Sequence, residues 1–204
     1  MCIYGYCRIS TKQQSIDRQI RNIKNEYSTA VIATEAYSGT TINRPEWNKL
    51  YKKAKAGDTI VFDSVSRIFT DIETSCSKRF HGYEVWANVN KEINTFLDAI
   101  NQLQENGFNI VLIAHAVWDE NAKKYIETCK GSFAKIGGFL STVDYAMNID
   151  ILGNKRILTH RGNNLSRTLL DDIPEKEDAS NFNLQTYLDK IKAKSDVVSE
   201  KWSI

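Results

Sequence analysis

The sequence predicts an α/β fold, a three-layer sandwich with a mostly parallel sheet that ends in a C-terminal β-hairpin and a short helix. Three observations predict it. Strand-like and helix-patterned runs alternate over the first 65 residues, in the order β-α-β-α-β. The runs TIVFDSV (59–65) and NIVLIAHAV (109–117) are apolar without alternation, as in parallel strands covered on both faces. Gly153-Asn154 separates two strand-like runs, YAMNIDIL (145–152) and KRILTHR (155–161), which is the signature of a tight hairpin.

Each element has its own reason. CIYGYCRI (2–9) is rich in aromatic and β-branched residues and reads as a strand. Over Thr11 to Tyr27, Ile16, Ile20, Ile23 and Tyr27 recur at spacings of four, three and four, one apolar helix face. TAVIATEAY (29–37) is a second strand, followed by the polar loop Ser38-Gly39-Thr40-Thr41. Pro45 suits a helix start, and the helix Glu46 to Ala56 stops at Gly57-Asp58. Residues 70–82 show no period. Tyr83 to Asn106 is helical, with Ile93, Phe96, Leu97, Ile100 and Leu103 on one face and Gly107 as the stop. Trp118 to Phe133 is mostly polar and reads as a surface loop or short hairpin, and Ile136 to Val143 as a short helix. Asp171 to Asn183 is acidic and loop-like, and a last helix runs from Leu184 to Lys194.

Composition narrows the function classes. The chain has 204 residues, 42% hydrophobic, which is enough for a packed core and excludes wholesale disorder. No apolar run approaches the roughly 20 residues needed to span a bilayer, and the N-terminus lacks a secretory layout. Cys2, Cys7, Cys76 and Cys129 form no CxxC pair and read as reduced thiols of a cytoplasmic protein, with neither disulfide nor metal site. The net charge of +2 hides an asymmetry: residues 1–70 hold 11 of the 27 Lys and Arg but only 6 of the 25 Asp and Glu, giving +5 there and −3 beyond. A basic front is compatible with a phosphate-bearing partner or with a solvated surface.

Chemistry concentrates in Tyr6-Cys7-Arg8-Ile9-Ser10-Thr11, followed by Gln14, Arg18 and Gln19. Ser10 falls at the C-terminal end of the first parallel strand, where open α/β sheets place ligands. Two readings fit it: a helix N-cap, or a nucleophile activated by nearby groups. Arg8, Arg44 and Arg67 each fall where a strand ends or a loop meets a helix, and three guanidiniums converging on one phosphate would stabilise its transition state.

These residues carry a resemblance. Across residues 1–69, YCRIS-TKQQ-SIDRQ, EAYSGTTINRPEW and GDTIVFDSVSRI resemble the N-terminal half of the catalytic domain of serine recombinases, the resolvase/invertase group. The resemblance implies a serine that attacks a DNA phosphodiester, a 5′-phosphoseryl link, and strand exchange within a homo-oligomer, without metal or nucleotide cofactor. By position, Ser10 matches the nucleophile, Arg8, Arg44 and Arg67 match active-site arginines, and Gln19 matches a supporting polar residue. The family pattern has a second arginine three residues after Arg67, where this chain has Thr70. The family's long oligomerisation helix and separate DNA-binding domain have no counterpart in the sequence.

Residues 59–170 resemble a different group, the second half of phage-type RecA-like P-loop ATPases. TIVFDSVSRI is similar to their metal-binding strand, NIVLIAHAVWDE to the strand that senses the γ-phosphate, and KGSFAKIGGFLSTVDYAMNIDI to a later stretch. That resemblance implies a nucleotide site with Asp63, His115 and Arg167, and Mg-ATP as cofactor. No GxxxxGK[ST] loop is present to cradle the phosphates, so Asp63 also reads as a strand-end loop residue and His115 as a core histidine. The expected organisation is a recombinase-like part (1–69), an ATPase-like part completing the same sheet (70–170), and an acidic loop with a C-terminal helix (171–204). Trp86 and Trp118 read as packing residues, and His81 and His160 as surface residues.

Overall fold

A computed structural model describes residues 3–9, 16–36 and 45–202. The chain divides into two compact units, Met1–His115 with Thr128–Ala134, and Ala116–Glu127 with Lys135–Ile204.

The first unit is the α/β part. Its strands are β1 (Ile3–Ile9), β2 (Val31–Ala36), β3 (Thr59–Asp63) and β4 (Asn109–Ile113). They form one four-stranded sheet in the order β2-β1-β3-β4. Every neighbouring pair is parallel, with Tyr4 beside Val31, Ile3 beside Thr59 and Thr59 beside Asn109. The long helices of this unit are α1 (Ile16–Glu26), α2 (Pro45–Lys53), α3 (Val65–Arg79) and α4 (Tyr83–Glu105). Pro45 occupies the first helical position, where its missing N–H costs nothing.

Two details explain how closely these elements pack. A Cβ on Gly5 would lie 2.8 Å from Ile32 Cδ1 and 3.0 Å from Ile23 Cδ1, so the bare backbone admits the isoleucines of β2 and α1 against β1. Gly107, at φ +84°, adopts the left-handed turn that stops α4.

The core of this unit is aromatic and aliphatic. Ile60, Ile100, Leu103 and Phe108 cluster beneath β3, β4 and α4, with Phe62, Phe96, Ile110 and Leu112 packed against them. Phe69 is fully buried and meets Phe96 and Phe133 edge-on, at 6.0 and 5.8 Å between ring centroids. Phe133 comes from the short helix α5 (Gly131–Lys135).

The segment 70–82, expected to lack a period, is mostly helix. Ser64 caps α3, its Oγ accepting the Arg67 N–H, and the helix buries Val65, Phe69 and Cys76, with Ile72 half-buried between them. That stripe has helical spacing, but Thr70, Asp71, Glu73, Thr74 and Ser75 dilute its hydrophobic signal. The start of α3 also ends β3 at Asp63, two residues before the expected limit of that strand.

The run 109–117 is likewise two elements. β4 ends at Ile113, and β5 (Ala116–Asp119) pairs antiparallel with β6 (Lys124–Glu127) in the second unit. Continuous apolar character cannot show where a chain leaves one sheet for another.

The second unit is antiparallel. β7 (Asn148–Leu152) and β8 (Lys155–Thr159) form the expected hairpin around Gly153-Asn154. A third strand, β9 (Lys176–Asp178), joins β8 from within the acidic segment expected to be a loop. In place of the helix expected over 136–143, α5 lies just before it and a single 3-10 turn spans Phe139–Ser141. The last helix, α6 (Leu184–Trp202), runs beyond its expected end at Lys194. Leu170, Ile173 and Tyr187 form this unit's core, with Tyr145, Met147, Phe182 and Ile191 against it.

His160, expected at the surface, is fully buried. Its Nε2 lies 2.7 Å from Glu177 Oε1 of β9, and its ring stacks on Tyr187 at 5.6 Å. The carboxylate from the neighbouring strand supplies the polar partner that makes such burial tolerable.

Candidate active site at the end of the parallel sheet

Strand order sets the location. The chain passes from β1 to β2 on one side, whereas β3 and β4 lie on the other, so the sheet switches direction between β1 and β3. Ligands of open α/β sheets bind outside the carboxyl ends of the strands at such a point. β1 and β3 pair through Ile3 with Thr59 and Tyr4 with Ile60. Beyond these residues no register pair joins them among the described residues, and the crevice that sheets of this kind use falls at the Ile9 and Asp63 ends of the two strands.

Arg8 is the penultimate residue of β1, beside Glu35 of β2, and Ile9 ends the strand. Gln19 lies on α1, the helix that follows. Ser10 and Arg44 fall outside the described residues. Across the crevice, β3 delivers Asp63 to its carboxyl end, and the chain turns at Ser64 into α3. Arg67 is therefore in the first turn of a helix, an anion-favouring place. Its Nε is 3.0 Å from Asp71 Oδ1, one turn on, in a pair exposed enough to contribute only tenths of a kcal/mol. Thr70 donates its hydroxyl to Ser66 O at 3.0 Å, so the residue standing where the recombinase pattern has its further arginine is spent on the helix backbone.

Cys7 of β1 is buried. Burial pushes its thiol pKa up, and the Asp63 carboxylate adds to the effect. A neutral thiol is a weak nucleophile.

The residue that sequence reasoning missed is Ser66. It is buried, its Oγ accepts the His115 N–H at 2.9 Å and donates to Thr128 O at 3.0 Å. Thr128 N–H in turn donates to His115 O at 2.7 Å. These bonds tie the start of α3 to the exit of β4 and to residue 128. Partners 49 and 62 residues away leave no local mark in a sequence.

The residues of the nucleotide-site expectation are distributed differently. Asp63 and His115 belong to the first unit, at and just beyond the carboxyl ends of the adjacent strands β3 and β4, and both are exposed, so His115 is no core histidine. Arg167 belongs to the second unit, where its backbone bridges to Ala146. Trp86 and Trp118, expected to pack, are 45% and 48% exposed.

Comparison with known proteins bears on the front of the chain. Residues 3–77 match the family described as "Resolvase, N terminal domain". A resolvase/recombinase of Pseudomonas putida is 38% identical over 72 residues, 35% of this chain and 40% of that protein. The transposon Tn3 resolvase of Escherichia coli is 39% identical over 72 residues, 35% of this chain and 39% of the relative. The R46 site-specific recombinase of Escherichia coli is 28% identical over 130 residues, 62% of this chain and 65% of its own length. The chain thus spans about two fifths of the length of the first two relatives. From β1 through most of α3, this protein is similar to the resolvase N-terminal domain.

Proposed function

We propose that the protein is a DNA recombinase of the serine resolvase/invertase type, cutting and rejoining DNA through a phosphoserine link. The observation that carries this reading is the place of the motif in the sheet. Arg8 is the penultimate residue of β1 and Arg67 lies in the first turn of the helix after β3, the two strands that flank the switch point, and Ser10 follows Ile9 in the sequence.

In the proposed reaction the Ser10 oxygen attacks a DNA phosphorus. The new Ser–O–P bond forms as the bond from phosphorus to the 3′ oxygen breaks. The serine proton is lost, and the departing oxygen gains one to become a 3′-hydroxyl. Rejoining is the reverse step with a 3′-hydroxyl as nucleophile. Arg8, Arg44 and Arg67 stabilise charge on the phosphoryl oxygens, and Gln19 supports the site. A preorganised charge of this kind is worth about 3–4 kcal/mol. The phosphoserine link conserves the bond energy, so the proposal needs neither metal nor nucleotide. Its partners are DNA and further copies of the chain, and its place is the cytoplasm. Among the described residues no helix is long and apolar enough to cross a membrane.

The test is a denaturing gel for a covalent protein–DNA complex formed on supercoiled DNA, with Ser10→Ala in parallel. An adduct that depends on Ser10 supports the reading. An adduct that persists in Ser10→Ala, or folded protein that forms none on DNA carrying sites of the related resolvases, refutes it.

A further inference from the structure

The corner where α3 turns into α4 carries a group of side chains that the proposed reaction does not use. Tyr83 is 87% exposed and Trp86 45% exposed. They stand three residues apart in the first turns of α4 and so share a helix face. Lys78 and Arg79, both exposed, end α3 immediately before them, and His81 is exposed between the helices.

Basic residues outnumber the acid at this corner, where Lys78 and Arg79 are set against Glu84, which stands between Tyr83 and Trp86. The acids of α3 are engaged within the chain: Asp71 pairs with Arg67 at 3.0 Å, and Glu73 pairs with Lys130 at 2.9 Å. Among the described residues neither Lys78 nor Arg79 meets a carboxylate. Arg79 is held by a bond from Nε to Ser75 O at 3.3 Å, with its guanidinium 5.5 Å from the Phe80 ring centroid. Residues 74–91 hold Lys78, Arg79, Lys91 and His81 against the single acid Glu84.

We propose that this corner binds single-stranded DNA, with Tyr83 and Trp86 stacking on unpaired bases and Lys78 and Arg79 contacting phosphates. Cations beside water-exposed aromatic faces are the combination that recognises unpaired nucleic acid without sequence preference. Tyr83 lies open to solvent and Trp86 keeps nearly half its surface there, so folding itself leaves much of this apolar area without a hydrophobic gain. A duplex keeps its base faces stacked and offers them nothing. Eleven residues of helix separate Lys78 from Arg67, about 17 Å at 1.5 Å per residue, so the surface is distinct from the crevice.

The experiment uses the full chain carrying Ser10→Ala, which removes covalent attachment and leaves this surface intact. Binding of a fluorescein-labelled oligothymidylate is followed by anisotropy across a salt series, with circular dichroism to confirm folding of each variant. The expected result is salt-dependent binding that Tyr83→Ala and Trp86→Ala each weaken by roughly 5- to 150-fold, the range for losing one stacked base. Tyr83→Phe, which keeps the ring, retains affinity. Lys78→Ala makes the slope of log affinity against log salt shallower by about 0.7. Absence of binding at low salt overturns the proposal. So does full affinity in the Tyr83→Ala/Trp86→Ala double variant, or a preference for duplex that ignores these rings, and either result would leave a protein partner as the reason for the exposed aromatics.

Discussion

Replacing Ser66 with alanine isolates the bonds that hold the parallel sheet's exit in place. The Ser66 hydroxyl makes two bonds to backbone, at 2.9 and 3.0 Å, and the residue is 4% exposed. Each neutral hydrogen bond contributes about 1 kcal/mol net, and each partner left unsatisfied adds a desolvation cost. The His115 N–H and the Thr128 carbonyl would both lose their partner, so the expected loss is about 2–4 kcal/mol. That is a large share of the roughly 5–15 kcal/mol that holds a typical domain folded. Amide hydrogen exchange reads it locally. The His115 amide in Ser66→Ala should exchange on the order of 30- to 1,000-fold faster, the same energy written as an equilibrium factor. Urea denaturation should show the same loss in the unit that contains β1 to β4. Exchange at His115 within a factor of two of wild type, or a stability change below about 0.5 kcal/mol, would refute the assignment of these bonds as the fastening of α3 to the exit of β4.

Three other perturbations follow from particular contacts. Phe69→Ala removes a fully buried ring that touches Phe96 and Phe133, and should cost about 3–5 kcal/mol in chemical denaturation; a cost under 1 kcal/mol would show that the site is not packed as described. Thr70→Arg places a second guanidinium one turn beyond Arg67, and under the proposed function it should raise the rate of Ser10-dependent adduct formation by about 10²-fold, measured on the same denaturing gel. The Asp178 carboxylate is held below its ordinary pKa by hydrogen bonds from the Ser180 N–H and hydroxyl and by Lys155. A depressed pKa in the folded state gives stability that is complete above the unfolded value, about pH 4, and lost as pH falls through the folded value. Asp178→Asn should therefore flatten the acid limb of the stability profile of the second unit, and an unchanged limb would show that this carboxylate is not linked to folding.

Much of the secondary structure was legible because its signals are local. The face Ile16, Ile20 and Ile23, Pro45 at a helix start and the Gly153-Asn154 turn need only neighbouring residues to be read, and helix or hairpin formed at each. α3 was hidden because polar residues cover most of it, and its buried residues are Val65, Phe69 and Cys76 with the polar Ser66 among them. β9 was hidden because Lys176–Asp178 is charged and becomes a strand only by pairing with β8. The motif Arg8-Ile9-Ser10 could be named from sequence, and so could Arg67. That β1 borders the switch point of the sheet could not, because the order β2-β1-β3-β4 depends on which strands pair.

By itself, the sequence determined the alternation of strands and helices, the excess of basic residues at the front and the residues proposed for phosphate chemistry. These properties are written in residue type and spacing. The tertiary structure decided that Arg67 opens a helix, that Ser66 fastens that helix to the exit of β4, that His160 is enclosed with Glu177, and that Tyr83 and Trp86 face solvent. Burial and pairing are properties of distant residues meeting, with energies set by contacts that no local window of the chain contains.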